Sequence, residues 1–404
     1  MHRYDVVVIG AGLIGLATAL RLIEAQPRCR ILVVDKELRV AAHQSGHNSG
    51  VIHSGIYYRP GSHKARNCVE GVERLEAFCQ DNEIPVNRCG KVIVATAEDE
   101  LPRLDELYRR GIANGVKNLE LIESERLREI EPHAAGIRAL HCPNTSIVDY
   151  VQVAEAYAAR LCDCGVEIAL GEEVVRIQQH EQSTVVETGG RECEASLVIN
   201  CGGVRSDQVA HLAGDPSAAG KILPFRGEYY RLRDDARHLV KGLIYPVPDP
   251  KFPFLGVHLT LMSDGGVEAG PNAVFAYSRD GYRKRDISLK DLTEAVCYRG
   301  FWAMAARYWR TGLGEMYRSY SKNAFLKALQ RLLPVLTADD LVPGGSGVRA
   351  QVIKPDGTML DDFWIEQSSR CLHVLNAPSP GATASLAIGE QISKQALTML
   401  SLKG

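Results

Sequence analysis

Along the first forty positions the apolar residues switch from strand character to helix character and back. Tyr4-Asp5-Val6-Val7-Val8-Ile9 is an apolar, β-branched run of strand type. Leu16-Ala17-Thr18-Ala19-Leu20-Arg21-Leu22-Ile23 has helical propensity and little to break it. Arg30-Ile31-Leu32-Val33-Val34 is strand-like again and ends in Asp35. Gly10, Gly12 and Gly15 stand at the first turn of this strand–helix–strand unit. In such a unit the first glycine allows the tight turn, the second lets backbone approach a pyrophosphate, and the third lets helix and strand pack closely. The helix N-terminus, with its free N–H groups and macrodipole, favours the anion. Asp35, twenty residues past Gly15 and followed by Lys36, stands where a carboxylate accepts hydrogen bonds from ribose hydroxyls. The stretch predicts a dinucleotide-binding βαβ unit. By itself it does not separate NAD from FAD.

Beyond it, spacings of three and four predict a helix over 63–83, with Ala65, Cys68, Val69, Val72, Leu75 and Phe78 on its apolar side. Lys91–Ala95 reads as a strand. Residues 98–113 and 123–131 read as helices, the second stopped by Pro132. Cys142–Asp149 is a turn-rich crossing back towards the nucleotide unit. A helix over 150–164 and a strand Val166–Leu170 follow, then strand Glu173–Ile177, where Val174 offers backbone groups at the adenine end. Leu197-Val198-Ile199-Asn200-Cys201-Gly202-Gly203 is a buried strand running into a glycine pair.

From about 222 the pattern turns to sheet: Leu223–Tyr230, Leu243–Pro248, Leu255–Thr260, Gly265–Pro271 and Ala273–Tyr277, with helices from 289 to 336 packed outside. Gly345-Ser346-Gly347-Val348-Arg349-Ala350 has the form of a second glycine fingerprint. Asp339–Pro343 before it is a poor strand, so it reads as a glycine-rich turn and not as a second nucleotide unit. Leu372–Asn376 is a closing strand, and Ala377–Thr383 a turn into the last helix. The expected architecture is α/β: a discontinuous Rossmann-type domain (1–85, 141–221 and 341–404) interleaved with an antiparallel-sheet α+β domain (86–140 and 222–340).

The composition fits such a chain. Of 404 residues, 45% are hydrophobic and 24% charged, ordinary for a globular protein. A net charge of −2 argues against nucleic acid as a partner. The eleven cysteines include no C-x-x-C pair, which gives no support for a redox disulfide or a metal site. No leader precedes the first strand and no apolar stretch reaches bilayer-spanning length. The expectation is a cytoplasmic protein.

Between the two domains lies the most specific stretch, His43-Gln44-Ser45-Gly46-His47-Asn48-Ser49-Gly50-Val51-Ile52-His53-Ser54-Gly55-Ile56-Tyr57-Tyr58-Arg59-Pro60-Gly61-Ser62. It is an irregular, polar loop directly after the ribose-binding strand. Here the chain resembles the glycine oxidase/D-amino-acid oxidase superfamily of FAD-dependent oxidoreductases, and within it the L-2-hydroxyglutarate dehydrogenase (oxidase) family. Phe225–Tyr229, Tyr245–Pro250, Pro253–Thr260, Gly270–Val274, Gly347–Gln351 and Asn376–Pro380 extend the likeness to nearly the whole chain. Gly381 departs from it, standing where alanine is expected.

The resemblance implies FAD and the oxidation of L-2-hydroxyglutarate to 2-oxoglutarate, with C2 hydrogen passing as hydride to flavin N5. Electrons would go on to a quinone or to oxygen. It places Gln44, Ser45, His47, Asn48, Ser49 and Gly50 beside the flavin, Cys201 and Gly202 near its pyrophosphate and ribityl, and Gly381, Ala382 and Thr383 at its N1/C2 edge. A related enzyme acting on an amino acid or glycerol 3-phosphate is the alternative. The reaction needs a base, for which His258 stands first and His53 second. It also needs cations for a dicarboxylate: Arg349 first, with Arg226 and Lys64 for the distal group and Tyr245 for an added hydrogen bond. Separately, seven basic residues and one acid lie between Arg299 and Arg331, interleaved with Phe301, Trp302, Tyr308, Trp309, Tyr317, Tyr320 and Phe325. A basic, aromatic helical surface of this kind suits peripheral contact with anionic membrane, on the cytoplasmic face of the inner membrane.

Overall fold

The computed structural model describes residues 2–216, 220–249 and 255–401. At its centre, strand His2–Ile9 lies in parallel between Glu192–Asn200 and Ile31–Asp35. Cys371–Asn376 and Glu167–Leu170 extend this sheet in parallel on the two sides. The run Val6–Ile9 is apolar throughout because both faces are covered. Val6 and Val8 meet the helices Leu13–Ala25, Tyr150–Asp163 and Ser385–Ser401. Val7 and Ile9 face the opposite layer, with Ile177, Val186 and Val198.

The second sheet has nine strands among the described residues. All its pairings are antiparallel except that of Lys91–Ala95 with Leu243–Pro246. Its strands obey a period of two. Val92, Val94, Ile244, Leu259 and Ala269 share one face and pack against Phe325, Leu326, Leu329 and Leu333. The alternate positions, Lys91, Ile93 and Tyr245 with His258 and Thr260, belong to the other face, where Ile93 and Tyr245 meet Val51, Ile56 and Ile147 of the nucleotide side. Leu243 pairs with Thr260 and Ile244 with Leu259, which brings Tyr245 across from His258. The helices Leu289–Val296, Arg299–Tyr320 and Lys322–Leu329 lie beyond this sheet, within the helical stretch expected from the sequence.

Three sequence expectations change. Gly345–Ala350 is not a turn but the middle of strand Leu341–Ile353, paired along the length of Lys221–Leu232. Its partner strand overrides the low strand propensity of its glycines. Residues 341–353 therefore belong to the second sheet, and the domain boundary expected at 341 moves beyond them. The strand expected over Ala273–Tyr277 is confined to Val274–Phe275. Residues 250–254, part of the family-like stretch, lie outside the described residues. Among the described residues no helix is long and apolar enough to cross a membrane.

Arg279 ties the two layers together. Its guanidinium, with the side chain 4% exposed, donates to both Asp207 carboxylate oxygens at 2.5 and 3.1 Å and to the Val204 carbonyl at 2.6 Å. Removing one partner of a buried pair leaves the other charge stranded, at about 3–5 kcal/mol. Arg279→Ala should lower the unfolding free energy by that amount in urea titration. A loss under about 1 kcal/mol would mean the pair behaves like an exposed bridge.

Candidate active site

At the glycine turn, three backbone segments approach more closely than side chains permit. Gly10 has φ +107°, and a Cβ there would fall 2.4 Å from the Cys201 carbonyl oxygen. A Cβ on Gly15 would fall 1.9 Å from the Gly10 oxygen. The helix behind the turn begins after Gly12, which has no side chain to cap it. Ser45 Oγ instead accepts from the Leu13 N–H at 3.0 Å. Asp35 is fixed by two backbone donors, Ala11 at 2.7 Å and Glu37 at 2.9 Å.

This turn forms one end of a cavity of about 1220 Å³. Gly10, Gly12, Gly15, Asp35, Lys36, Gln44, Ser45, His47, Asn48, Ser49, Val174, Cys201, Gly202, Gly381 and Ala382 all line it. Two of the expected cofactor residues do not. Gly50 (φ +67°) lies against the Val148 carbonyl and shapes the loop from outside the cavity. Thr383 is buried behind the wall, its hydroxyl 3.0 Å from the Tyr150 hydroxyl and accepting from the His53 N–H at 3.1 Å.

The same cavity is also lined by His53, Tyr57, Tyr229, Tyr245, His258 and Arg349, with Lys64 in the wall. The His258 and Tyr245 rings stack with centroids 3.9 Å apart. His258 Nδ1 lies 2.9 Å from the Gly256 carbonyl. A carbonyl only accepts, so Nδ1 carries the proton and Nε2 the lone pair of the neutral ring. Burial first, then the charges of Arg349 and Lys91, push His258 down to about 3. Burial, Lys91 and His258 do the same to His53, also to about 3. The His53 Nδ1 is buried with no hydrogen-bond partner among the described residues, as is the Tyr57 hydroxyl. Burial raises Tyr229 to about 12, against the opposing pull of Arg349, which its hydroxyl hydrogen-bonds.

Arg226 must be reassigned. On strand Lys221–Leu232, Gly227 and Tyr229 line the cavity, and the period of two turns Arg226 and Glu228 to the opposite face. There its guanidinium donates to Glu228 at 2.8 and 3.1 Å and to the Arg283 carbonyl at 3.1 Å. Through Glu228 it is linked to the outer helix Arg299–Tyr320, whose Ser319 donates to the same carboxylate at 2.6 Å. Lys64 Nζ pairs with Asp361 at 2.7 Å, whose side chain is exposed. The sequence reading also missed the segment around Asp280 and Tyr282. Asp280 pairs with Arg205 at 2.5 Å, and the Tyr282 ring lies 4.2 Å from that of His47. These contacts span up to 235 residues, and no local signal announces them.

The family model described as "FAD dependent oxidoreductase" matches residues 5–395. The chain is 47% identical to the L-2-hydroxyglutarate dehydrogenase of Indibacter alkaliphilus, covering 98% of this chain and 99% of that protein. It is 44% identical to the L-2-hydroxyglutarate dehydrogenase of Escherichia coli (strain K12), over 98% and 94% of the two chains. This chain belongs to the L-2-hydroxyglutarate dehydrogenase family of FAD-dependent oxidoreductases. Among solved structures, L-α-glycerophosphate oxidase from Mycoplasma pneumoniae, described with FAD bound, shares the fold. Its TM-score is 0.78 at 23% identity, over 99% of this chain and 95% of that one.

The cavity fits the cofactor of this dehydrogenase family. A Cβ at Gly10 or Gly15 would break the turn that receives the pyrophosphate, and Asp35 keeps acceptor capacity for ribose after binding its two backbone donors. Cys201 and Gly202 flank the turn, and Gly381 and Ala382 line the same cavity as the polar loop at 44–49. Gly15→Ala should therefore purify with less than about a tenth of the wild-type flavin, since a misplaced turn loses several kcal/mol of anion contacts. The ratio of flavin to protein absorbance reads this directly. Full flavin content would show that the turn tolerates a methyl group.

Proposed function

We propose that this chain oxidises L-2-hydroxyglutarate to 2-oxoglutarate, with His258 Nε2 accepting the hydroxyl proton and Arg349 holding a carboxylate. The observation that carries the reading is the stacked Tyr245–His258 pair beside Arg349, in the same cavity as the dinucleotide turn. FAD, when bound, supplies the acceptor for the C2 hydrogen and its bonding electron pair. The protein's part is position and charge. The Gly256 carbonyl fixes the His258 tautomer, so the nitrogen with the lone pair is set before substrate arrives. The planar fork of Arg349 matches the two oxygens of a carboxylate. Lys64 is the candidate for the distal carboxylate, giving up its exposed partner Asp361. His53 is the second candidate for the base, since its Nδ1 has no partner among the described residues.

A low pKa keeps His258 neutral in the free site. A substrate carrying two negative charges offsets Arg349 and Lys91, and so raises the proton affinity of the base when it is needed. Anaerobic mixing with L- and D-2-hydroxyglutarate tests the reading through loss of the flavin's visible absorption. Bleaching by the L-form alone is the expected result. His258→Asn should slow that bleaching by roughly 10²–10⁴-fold. Reduction by glycerol 3-phosphate or an amino acid, with neither hydroxyglutarate active, would keep the fold and overturn the substrate.

The electron route is proposed from the outer helix Arg299–Tyr320. Trp302, Trp309, Leu313, Tyr317 and Tyr320 are all more than half exposed, and their spacing puts them on one stripe of the helix. Glu315, the one acid of the stretch, is turned inward to the Ala273 N–H at 2.8 Å and to Arg318. The outward face thus joins aromatic rings with cations, a surface that suits anionic lipid and delivery of electrons to a membrane quinone in preference to oxygen. Flotation with anionic vesicles should carry the protein at low salt, and Trp302→Ser with Trp309→Ser should abolish it. An absence of flotation at low salt would remove the membrane from the scheme.

A further inference from the structure

One charged group buried behind the cavity wall has no hydrogen-bond or ion-pair partner among the described residues and no assigned task. Lys91 opens the strand Lys91–Ala95, whose five residues are all buried, and is itself 2% exposed. Among the described residues no carboxylate pairs with its Nζ and no acceptor hydrogen-bonds it. Its ammonium lies 4.9 Å from the Tyr57 ring centroid and 5.1 Å from that of Tyr245. Tyr245 in turn stacks on His258. The period of two that turns Tyr245 and His258 to the cavity places Lys91 on that same face, one strand further along.

An unpaired buried ammonium opposes folding, because desolvation is compensated only by the two aromatic faces. A hydrophobic side chain of similar length would fill the same space without that penalty. The position thus holds a destabilising group against the Tyr245 ring that stacks on His258. We propose that Lys91 is a positioning residue for the oxidation. Its ammonium braces the Tyr57 and Tyr245 rings and sets, through the stack, the orientation and basicity of His258. The inference rests on His258 as proton acceptor, as argued above.

Several groups face His258 besides Lys91. Tyr245 lies opposite on the neighbouring strand, and the Gly256 carbonyl holds Nδ1. Arg349 comes from the long strand Leu341–Ile353, with Tyr229 beside it. His53 approaches from the nucleotide side. Glu268 lies on the adjoining strand opposite Thr260 and is raised to about 7 by burial. Lys91 and Arg349 are the two cations that lower His258, and burial is the larger cause. Burial also lowers Lys91 itself.

The test compares Lys91→Met and Lys91→Arg in the FAD-loaded enzyme. Met removes the charge and keeps the length; Arg keeps the charge. With L-2-hydroxyglutarate, Lys91→Met should lower kcat roughly ten- to a hundredfold. It should also move the acidic limb of the kcat profile up by about one pH unit, a tenfold gain in proton affinity. Its Tm should rise, since an unpaired charge has gone. Lys91→Arg should recover the position of the limb. A purely structural lysine would give the opposite signature, a lower Tm with an unmoved limb, and that result overturns the proposal. Should Lys91→Met fail to fold, the expected gain in Tm is contradicted and the proposal fails as well. His258→Asn separates the two ideas. If it still reduces flavin at the wild-type rate, the base assignment fails by itself, whatever Lys91→Met shows.

Discussion

The close approach of Gly10, Gly15 and the Cys201 carbonyl is the contact on which the remaining architecture depends. Two parallel strands and a helix meet there at distances that leave no room for a methyl group. Everything anchored to those strands inherits that spacing. Gly10 follows one of them, His2–Ile9, and Cys201 follows the other, Glu192–Asn200, while Asp35 ends the strand Ile31–Asp35 paired beside the first, and the polar loop over 44–49 comes after it. The second sheet then roofs this frame, with its open face set by strand parity. Apolar residues on the far side meet the outer helices, while the near side offers Tyr245 and His258 to the cavity, with Lys91 and Thr260 buried on the same face.

How much of this was legible follows from whether a signal is local. The glycine turn, Asp35 and the strands beside them were readable because each lies within a few residues of its own explanation. Arg349 and His258 were found by chemistry and by likeness to a family, and the structure puts them in one cavity. Arg226 shows the limit. Phe225-Arg226-Gly227-Glu228-Tyr229 states its parity plainly, since Arg226 and Glu228 must share a face. Both faces are buried, however, so nothing in the sequence says which one meets the cavity. The Gly345–Ala350 stretch failed for a related reason: its strand exists because Lys221–Leu232 lies beside it, and pairing is a tertiary fact. Lys91 did leave a trace, as a lone cation leading an apolar strand.

The electrostatic design of the chamber runs against stability. Burial pushes two histidines far below their ordinary range, and among the described residues a tyrosine hydroxyl and an imidazole nitrogen lack partners and a lysine is buried without a counter-ion. Each of these opposes folding. Together they describe a place shaped for charge brought in from outside. On the proposed assignment a dianionic substrate would offset the cations that face His258, so part of its binding energy would be used in the site before any bond is broken.

The path of the chain between the two sheets carries a consequence of its own. Residues 2–35, 167–200 and 364–376 build the first sheet, parallel at its centre and antiparallel at its margins, while 91–142, 221–275 and 341–353 build the other. Neither half is contiguous, so neither can be cut out as one uninterrupted segment. Diversification of such a protein has to proceed in place, by changing side chains on strands whose geometry is already committed to the cofactor. A new substrate would be reached by altering the residues that face the chamber, while the nucleotide frame beneath them stays fixed.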